Sequence, residues 1–266
     1  MTVTTAFLSR REHFDRVGST NDVVREWLAA GVPEVCVAIA DEQTAGRGRE
    51  GRTWQAPAGS GLLLSLGFRP AWLAPSHAWR LPAVVSLAMA EAAEASTGLP
   101  SGSVGLKWPN DLVVRSSEIR KLAGVLGETS GLGTADPRVV VGIGINTNWP
   151  RADFPPELAP SMTSLSEATD APIDHAGLLD RFLAALEAAV DALRAGRFDA
   201  DGWRDRQITT GLSIELHGPS GGVEIVNGAG VDTDTGALLV DDGHERRAVF
   251  VGEITHVRFV LAGREV

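Results

Sequence analysis

Apolar and polar positions along this chain follow two periods, and the switches between them mark the elements. Val23, Val24, Trp27 and Leu28 recur at helical spacing behind Ser19, Thr20 and Asn21. Any of those three can cap a helix, with Asp22 set in the first turn. Short unbroken apolar runs at 35–40 and 61–68 read as buried strands. The alanine-rich stretch 81–96 predicts a helix that tolerates Pro82 in its first turn. Residues 104–114 read as strand, Pro-Asn-Asp turn and strand, and 118–128 and 138–146 as glycine-interrupted strands. Proline-rich 149–160 is a loop. A stripe through Leu178, Phe182, Leu186, Val190 and Leu193 predicts a helix over 174–195, stopped by Gly196, and a short helix is expected around Trp203.

From Gly211 the texture changes to short strands separated by glycine and aspartate turns. The pattern predicts an α+β protein. Residues 1–210 form a mixed-sheet domain flanked by helices, and 211–266 a small β module that needs its neighbour for stability.

Between the first two strands lies QTAGRGREGRTW (43–54), with Gly46, Gly48 and Gly51 interleaved with Arg47, Arg49 and Arg52. Glycine lets a backbone approach a ligand closely, and arginine offers a planar fork of donors for carboxylate or phosphate oxygens. That composition describes a loop folding over an anion, with a solvated arginine-rich surface turn as the lesser alternative. The same glycines spell the dinucleotide fingerprint G-x-G-x-x-G. That fingerprint requires a helix next and an acidic residue about 20 positions on, and neither is present.

Composition narrows the classes. With 44% hydrophobic and 22% charged residues the chain is ordinary for a globular protein, and no apolar run is long enough to span a membrane. The start lacks a signal-peptide pattern, and one cysteine, Cys36, fits a reducing cytoplasm. The net charge of −10 argues against general nucleic-acid binding, and the scattered histidines suggest no zinc site. Of 24 basic residues, 22 are arginine, and the two lysines are Lys107 and Lys121. Such sparing use points to positions that need a compact ammonium, each expected to be held charged by anionic partners. The remaining amine of the chain is the α-amine at Met1. The inventory of cations, amides, one carboxylate (Asp111) and tryptophans suits a phosphate-bearing ligand with a planar moiety, held without a P-loop.

GRGREGRTW (46–54), KWPND (107–111), KLAGVLGE (121–128) and GIGIN (142–146), in this order, resemble the catalytic domain of the biotin–protein ligases. The resemblance covers roughly residues 15–150, and the C-terminal module fits that family's SH3-like barrel. It implies activation of biotin with ATP, with Mg²⁺ expected, to biotinyl-5′-AMP, followed by transfer to one lysine of a biotin carrier domain of a carboxylase. It implies that Ser19, Thr20 and Gln43 bind the ureido ring, with Asn21, Arg47, Gly124 and Gly142 also on the biotin side. Arg47, Arg49 and Arg52, with Gly46, Gly48 and Gly51, would close over the adenylate. Trp54, Asn110 and Asn146 would hold the nucleotide. Lys121 would bridge biotin carboxylate and α-phosphate, Asp111 would face the acceptor lysine, and Lys107 would join the catalytic set. Glu50 departs from the family's more basic loop. The 18 residues before Ser19 are too few for the DNA-binding domain of some members, so no DNA partner is expected. A lipoate–protein ligase would share fold and chemistry. A non-catalytic nucleic-acid-binding module is the reading from another class.

Overall fold

The computed structural model describes residues 7–115, 118–261 and 264–265, so the Met1 amine lies outside the described residues. The first strand is one that the apolar pattern does not announce. β1 (Arg10–Val17), RREHFDRV, is charged at most positions because it forms a half-exposed sheet edge, where charge deters further pairing. It lies parallel to β2 (Cys36–Gln43), reached through α1 (Thr20–Ala29). Then come β3 (Gly61–Phe68), α2 (Arg80–Thr97), β4 (Val104–Lys107), β5 (Asp111–Arg115), β6 (Ile119–Ser130) and β7 (Arg138–Asn146). Apart from the β1–β2 pair the ladders are antiparallel, in the order β1-β2-β3-β7-β6-β5-β4.

Strand alternation divides the core between two faces. Val37 and Ile39 of β2 join Leu64, Leu66 and Phe68 of β3 in the main core, beneath α2. The intervening Cys36 and Ala38 pack with Val24, Trp27 and Leu28 of α1 and with Val140 of β7. Each fully buried Leu or Phe contributes about 1.5–3 kcal/mol by leaving water. α3 (Leu165–Thr169), α4 (His175–Arg194) and α5 (Ala200–Asp205) follow, and α4 lies along α2. Asp174 caps α4 by accepting from the Ala176 N–H. α3 is a short helix that the sequence pattern does not announce, capped by Ser164, which accepts from the Glu167 N–H.

The C-terminal strands are β8 (Ser213–His217), β9 (Val223–Val231), β10 (Leu238–Asp241), β11 (Arg246–Val249), β12 (His256–Leu261) and β13 (Arg264–Glu265). They make a separate antiparallel sheet in the order β11-β10-β9-β8-β12-β13. Its Ile214, Leu216, Leu238 and Val240 belong to the same continuous apolar core as the large sheet. Trp108 Nε1 donates to the Gly236 carbonyl at 3.0 Å, which ties the β4–β5 turn to this module. Among the described residues no helix is long and apolar enough to cross a membrane.

Candidate active site

Register assembles the site. Lys107 pairs with Asp111, Asp111 with Gly124, and Gly124 with Gly144. Directly opposed residues share a face, so these four form one row across the sheet. In the next row Gly142 faces Leu126 and Ser65. This is the face that α1 covers only in part, and the remainder is a cleft of about 1820 Å³. Lys121 reaches that face through an irregularity. It stands three positions before Gly124, which in a regular strand would put them on opposite sides. The pairing shifts between Leu112 and Val113, so Leu122 and Ala123 both turn into the core and Lys121 emerges beside Gly124. Bulges of this kind re-aim side chains next to active sites.

At one end of the cleft the groups are polar and buried. Gln43 Oε1 accepts from the Thr20 N–H at 2.8 Å and from Thr20 Oγ1 at 3.1 Å. Thr20 Oγ1 lies 2.7 Å from Ser65 Oγ, which donates to Asn21 Oδ1 at 2.5 Å. Asn21 Nδ2 donates to Glu128 at 2.7 Å, and a side chain at Gly142 would collide with Asn21. Ser19 heads α1 without capping it, which leaves its hydroxyl free of that duty. Arg47 sits here rather than over the centre of the cleft. It grips Asp22 with two bonds of 2.8 Å and reaches Glu128 at 3.4 Å. The paired guanidinium holds the Asp22 carboxyl below its ordinary range.

The other end is apolar with unmet polar atoms. The Trp54 indole lies over Gly124 and Gly144, so a side chain on either glycine would press into it. Trp149 stacks on Phe154 at 4.3 Å, with Met162 packed beside them. Asn146 is fully buried and its Nδ2 donates to the Thr163 carbonyl at 3.0 Å, while its Oδ1 and the Trp54 and Trp149 Nε1 atoms have no hydrogen-bond partner. Asn110 is occupied structurally, with Nδ2 on the Val125 carbonyl at 3.2 Å.

Between the two ends Lys121 Nζ is 2.7 Å from Asp111 Oδ1 and 5.4 Å from the Trp54 ring centre. That oxygen is buried, and the contact is a close charge pair without the alignment of a good hydrogen bond. At Lys107 the expectation that anionic partners raise the amine's pKa is reversed in direction. Burial pushes its amine below the ordinary lysine value, Lys121, Arg258 and Arg52 push the same way, and Asp111 only partly opposes them.

The glycine-arginine loop is folded rather than loose. Gly48 N–H donates to the Arg52 carbonyl at 2.7 Å and Trp54 N–H to the Gly46 carbonyl at 2.9 Å, with a left-handed backbone at Glu50 (φ 55°) and Gly51 (φ 69°). A side chain at Gly46 would strike the Trp54 carbonyl. Arg49 donates to the Val251 and Ile254 carbonyls at 3.0 and 3.2 Å, and Arg52 to His256 Nε2 at 3.0 Å. The sequence gives no site role to Ser65, Asp22, Glu128, Trp149 or His256, although Asp22 is named there as a first-turn residue and Glu128 closes one motif. Ser65 carried a signal, as the one hydroxyl in an apolar strand; the others gain their roles only through tertiary contact.

A mixed sheet with one face half-covered by helix, and a two-ended cleft closed by a glycine-arginine loop, defines the catalytic-domain class of acyl-activating protein ligases. The chain belongs to the Biotin/lipoate A/B protein ligase family, whose model matches residues 13–146. It is 35% identical over 246 residues to the biotin–[acetyl-CoA-carboxylase] ligase of Mycobacterium tuberculosis, covering 91% of this chain and 87% of that one. It is 40% identical over 131 residues to the ligase of the same name from Paracoccus denitrificans, covering 49% of this chain and 52% of that one. The biotin protein ligase of Aquifex aeolicus, solved with biotin and ATP, superposes with a TM-score of 0.78 at 27% identity, over 94% of this chain and 99% of that one.

Proposed function

We propose that this chain is a biotin–protein ligase that joins biotin to ATP as biotinyl-5′-AMP and passes the biotinyl group to a lysine of a biotin carrier domain. The observation that carries this reading is the single cleft in which a buried polar end and a tryptophan-lined end meet at Lys121 and Asp111. Its volume exceeds the ~300–1,000 Å³ of a site for one small ligand. The hydroxyls and amides around Thr20, Gln43 and Asn21 suit a ureido ring. The unpartnered Asn146 Oδ1 suits an exocyclic amine of adenine, because a buried acceptor without a partner is costly until a donor arrives.

In the first step a biotin carboxylate oxygen attacks the α-phosphorus and the bond to pyrophosphate breaks. Two anions must meet, so preorganised positive charge is the main catalytic requirement. Lys121 exchanges Asp111 for the incoming anions, and the released Asp111 then faces the carrier amine. That amine, with a pKa near 10.4 in water, must lose its proton before it attacks the acyl carbon and AMP departs. The triphosphate brings Mg²⁺, which commonly takes one or two protein carboxylates alongside phosphate oxygens. No group of three or more His, Cys, Asp or Glu forms a dedicated metal cage among the described residues. Residues 1–210 act as the catalytic unit and 211–266 as a module closing over it, in a cytoplasmic protein with no need of DNA.

The test is incubation with biotin, MgATP and an apo carrier domain, read by intact mass, alongside biotin-dependent ATP–pyrophosphate exchange. One biotinyl addition at the carrier lysine is expected. Exchange that depends on lipoate and ignores biotin would replace this reading with its sister activity.

A further inference from the structure

The last two arginines of the glycine-arginine loop, Arg49 and Arg52, reach the C-terminal module. Arg49 has only 10% of its side chain exposed, and the one carboxylate within 4.0 Å of it among the described residues is Glu50, at that distance. It is satisfied instead by the Val251 and Ile254 carbonyls. Arg52 spends one N–H on the Arg49 carbonyl and another on His256 Nε2, at 3.1 and 3.0 Å. A guanidinium only donates, so Nε2 must be the unprotonated acceptor of a neutral imidazole.

We propose that His256 is a positioning residue that latches the loop over the cleft: neutral, it accepts from Arg52 and holds the loop in the place where Arg49 meets the β11–β12 segment. Protonated, it can no longer accept, and it faces cations on every side. These are Arg52 on the loop, Lys107 on β4 and Arg258 on its own strand, and the His217 ring on β8 lies edge-on at 6.1 Å. Of the carboxylates on the neighbouring elements, Glu215 is engaged with His217 at 3.0 Å and Glu253 accepts from the Phe250 N–H at 2.8 Å. Burial is the largest influence and these cations add to it, so the latched imidazole titrates below its ordinary value. The latch is therefore complete above about pH 6.5, where a free imidazole is already neutral, and weakens as pH falls below it. The C-terminal module thus takes part in closure, and the ligase reading enters only for the fate of the adenylate.

The experiment compares wild type, His256→Gln and His256→Ala by hydrogen–deuterium exchange of peptides covering 46–54, with peptides of β7 as the control for global opening. Glutamine Oε1 stands where Nε2 stands and accepts without titrating. At roughly pH 8 wild type and His256→Gln should exchange alike, and at roughly pH 5 the wild-type loop should open faster by about fivefold, the effect of one hydrogen bond. His256→Ala should open faster by a similar factor at both. Release of labelled biotinyl-AMP should follow the same pattern. Equal loop exchange in wild type and His256→Gln at both pH values, or an unaltered loop in His256→Ala, overturns the latch. Failure to form any adenylate would overturn the ligase reading while the exchange result still decides the latch.

Discussion

In the proposed function Lys121 is the residue on which the chemistry converges, and its contact with Asp111 fits a lysine there among so many arginines. Its ammonium is a point charge that can turn from Asp111 towards two anions in succession, whereas a guanidinium fork would demand one fixed plane. Lys121→Ala is expected to slow biotin-dependent pyrophosphate exchange by about 10²–10³-fold, the usual loss when one preorganised charge or donor leaves a closed site. Lys121→Arg should also be impaired. Near-wild-type exchange in Lys121→Ala, with the fold intact by circular dichroism, would remove Lys121 from the mechanism. Lys107 differs from it in kind: Lys121 has Asp111 at contact, whereas Lys107 is pushed towards neutrality by burial. Left with biotin and MgATP but no carrier, the protein should therefore acquire any trace label on Lys107 in preference to Lys121. Peptide mapping decides this, and label concentrated on Lys121 would show its pairing with Asp111 to be ineffective.

The strands around the cleft work as rows, and rows are what a linear pattern conceals. Gly124 and Gly144 are separated by 19 residues, yet they are direct partners, and together they make the flat bed on which Trp54 lies. Gly144→Ala should fold with little loss, since the backbone there is extended. Its methyl group would displace the indole and raise the KM for ATP by roughly tenfold, about what one or two misplaced apolar contacts cost. A KM for ATP unchanged from wild type would mean that the indole takes no part in nucleotide binding. The long helices, the buried strands and the change of texture at Gly211 were all legible, because each has a strong period or punctuation. The motif residues were legible as unusual types at element ends. The bulge that turns Lys121 into the cleft was not, because both Leu122 and Ala123 are apolar and nothing local marks which one is extra. β1 was missed for the opposite reason: an exposed edge strand has no need of the apolar alternation by which strands are recognised.

At the scale of the whole molecule the two sheets share one core, and the loop arginines cross from one to the other, so global stability and site geometry are coupled. His175 offers a measure of that stability with a defined sign. It opens α4, where the helix dipole already disfavours a positive charge, and its Nε2 lies 2.5 Å from Thr147 Oγ1 and 3.3 Å from Asn148 Nδ2 at the end of β7. The Asn148 amide nitrogen can only donate, so Nε2 accepts and the ring is neutral. Burial lowers its pKa from the ordinary imidazole value, against weaker opposing pulls from Asp41 and Asp174. In the unfolded chain the ring takes up a proton near pH 6.5, and in the folded chain it resists one. Below that pH the unfolded state binds more protons, so this contribution is fully present above about pH 6.5 and is lost as the pH falls. His175→Gln keeps an acceptor but does not titrate. At roughly pH 8 it should be less stable than wild type by about 1 kcal/mol, through imperfect replacement of the bonds to Thr147 and Asn148. Towards pH 5 the difference should shrink, because only the wild type then carries the cost of an uncharged buried imidazole. Urea unfolding followed by tryptophan fluorescence, with both proteins measured across this range, cancels the carboxylate titrations that they share. A gap that stays constant from pH 8 to pH 5 would show that His175 titrates alike in the folded and unfolded states, and the burial argument for it would fall.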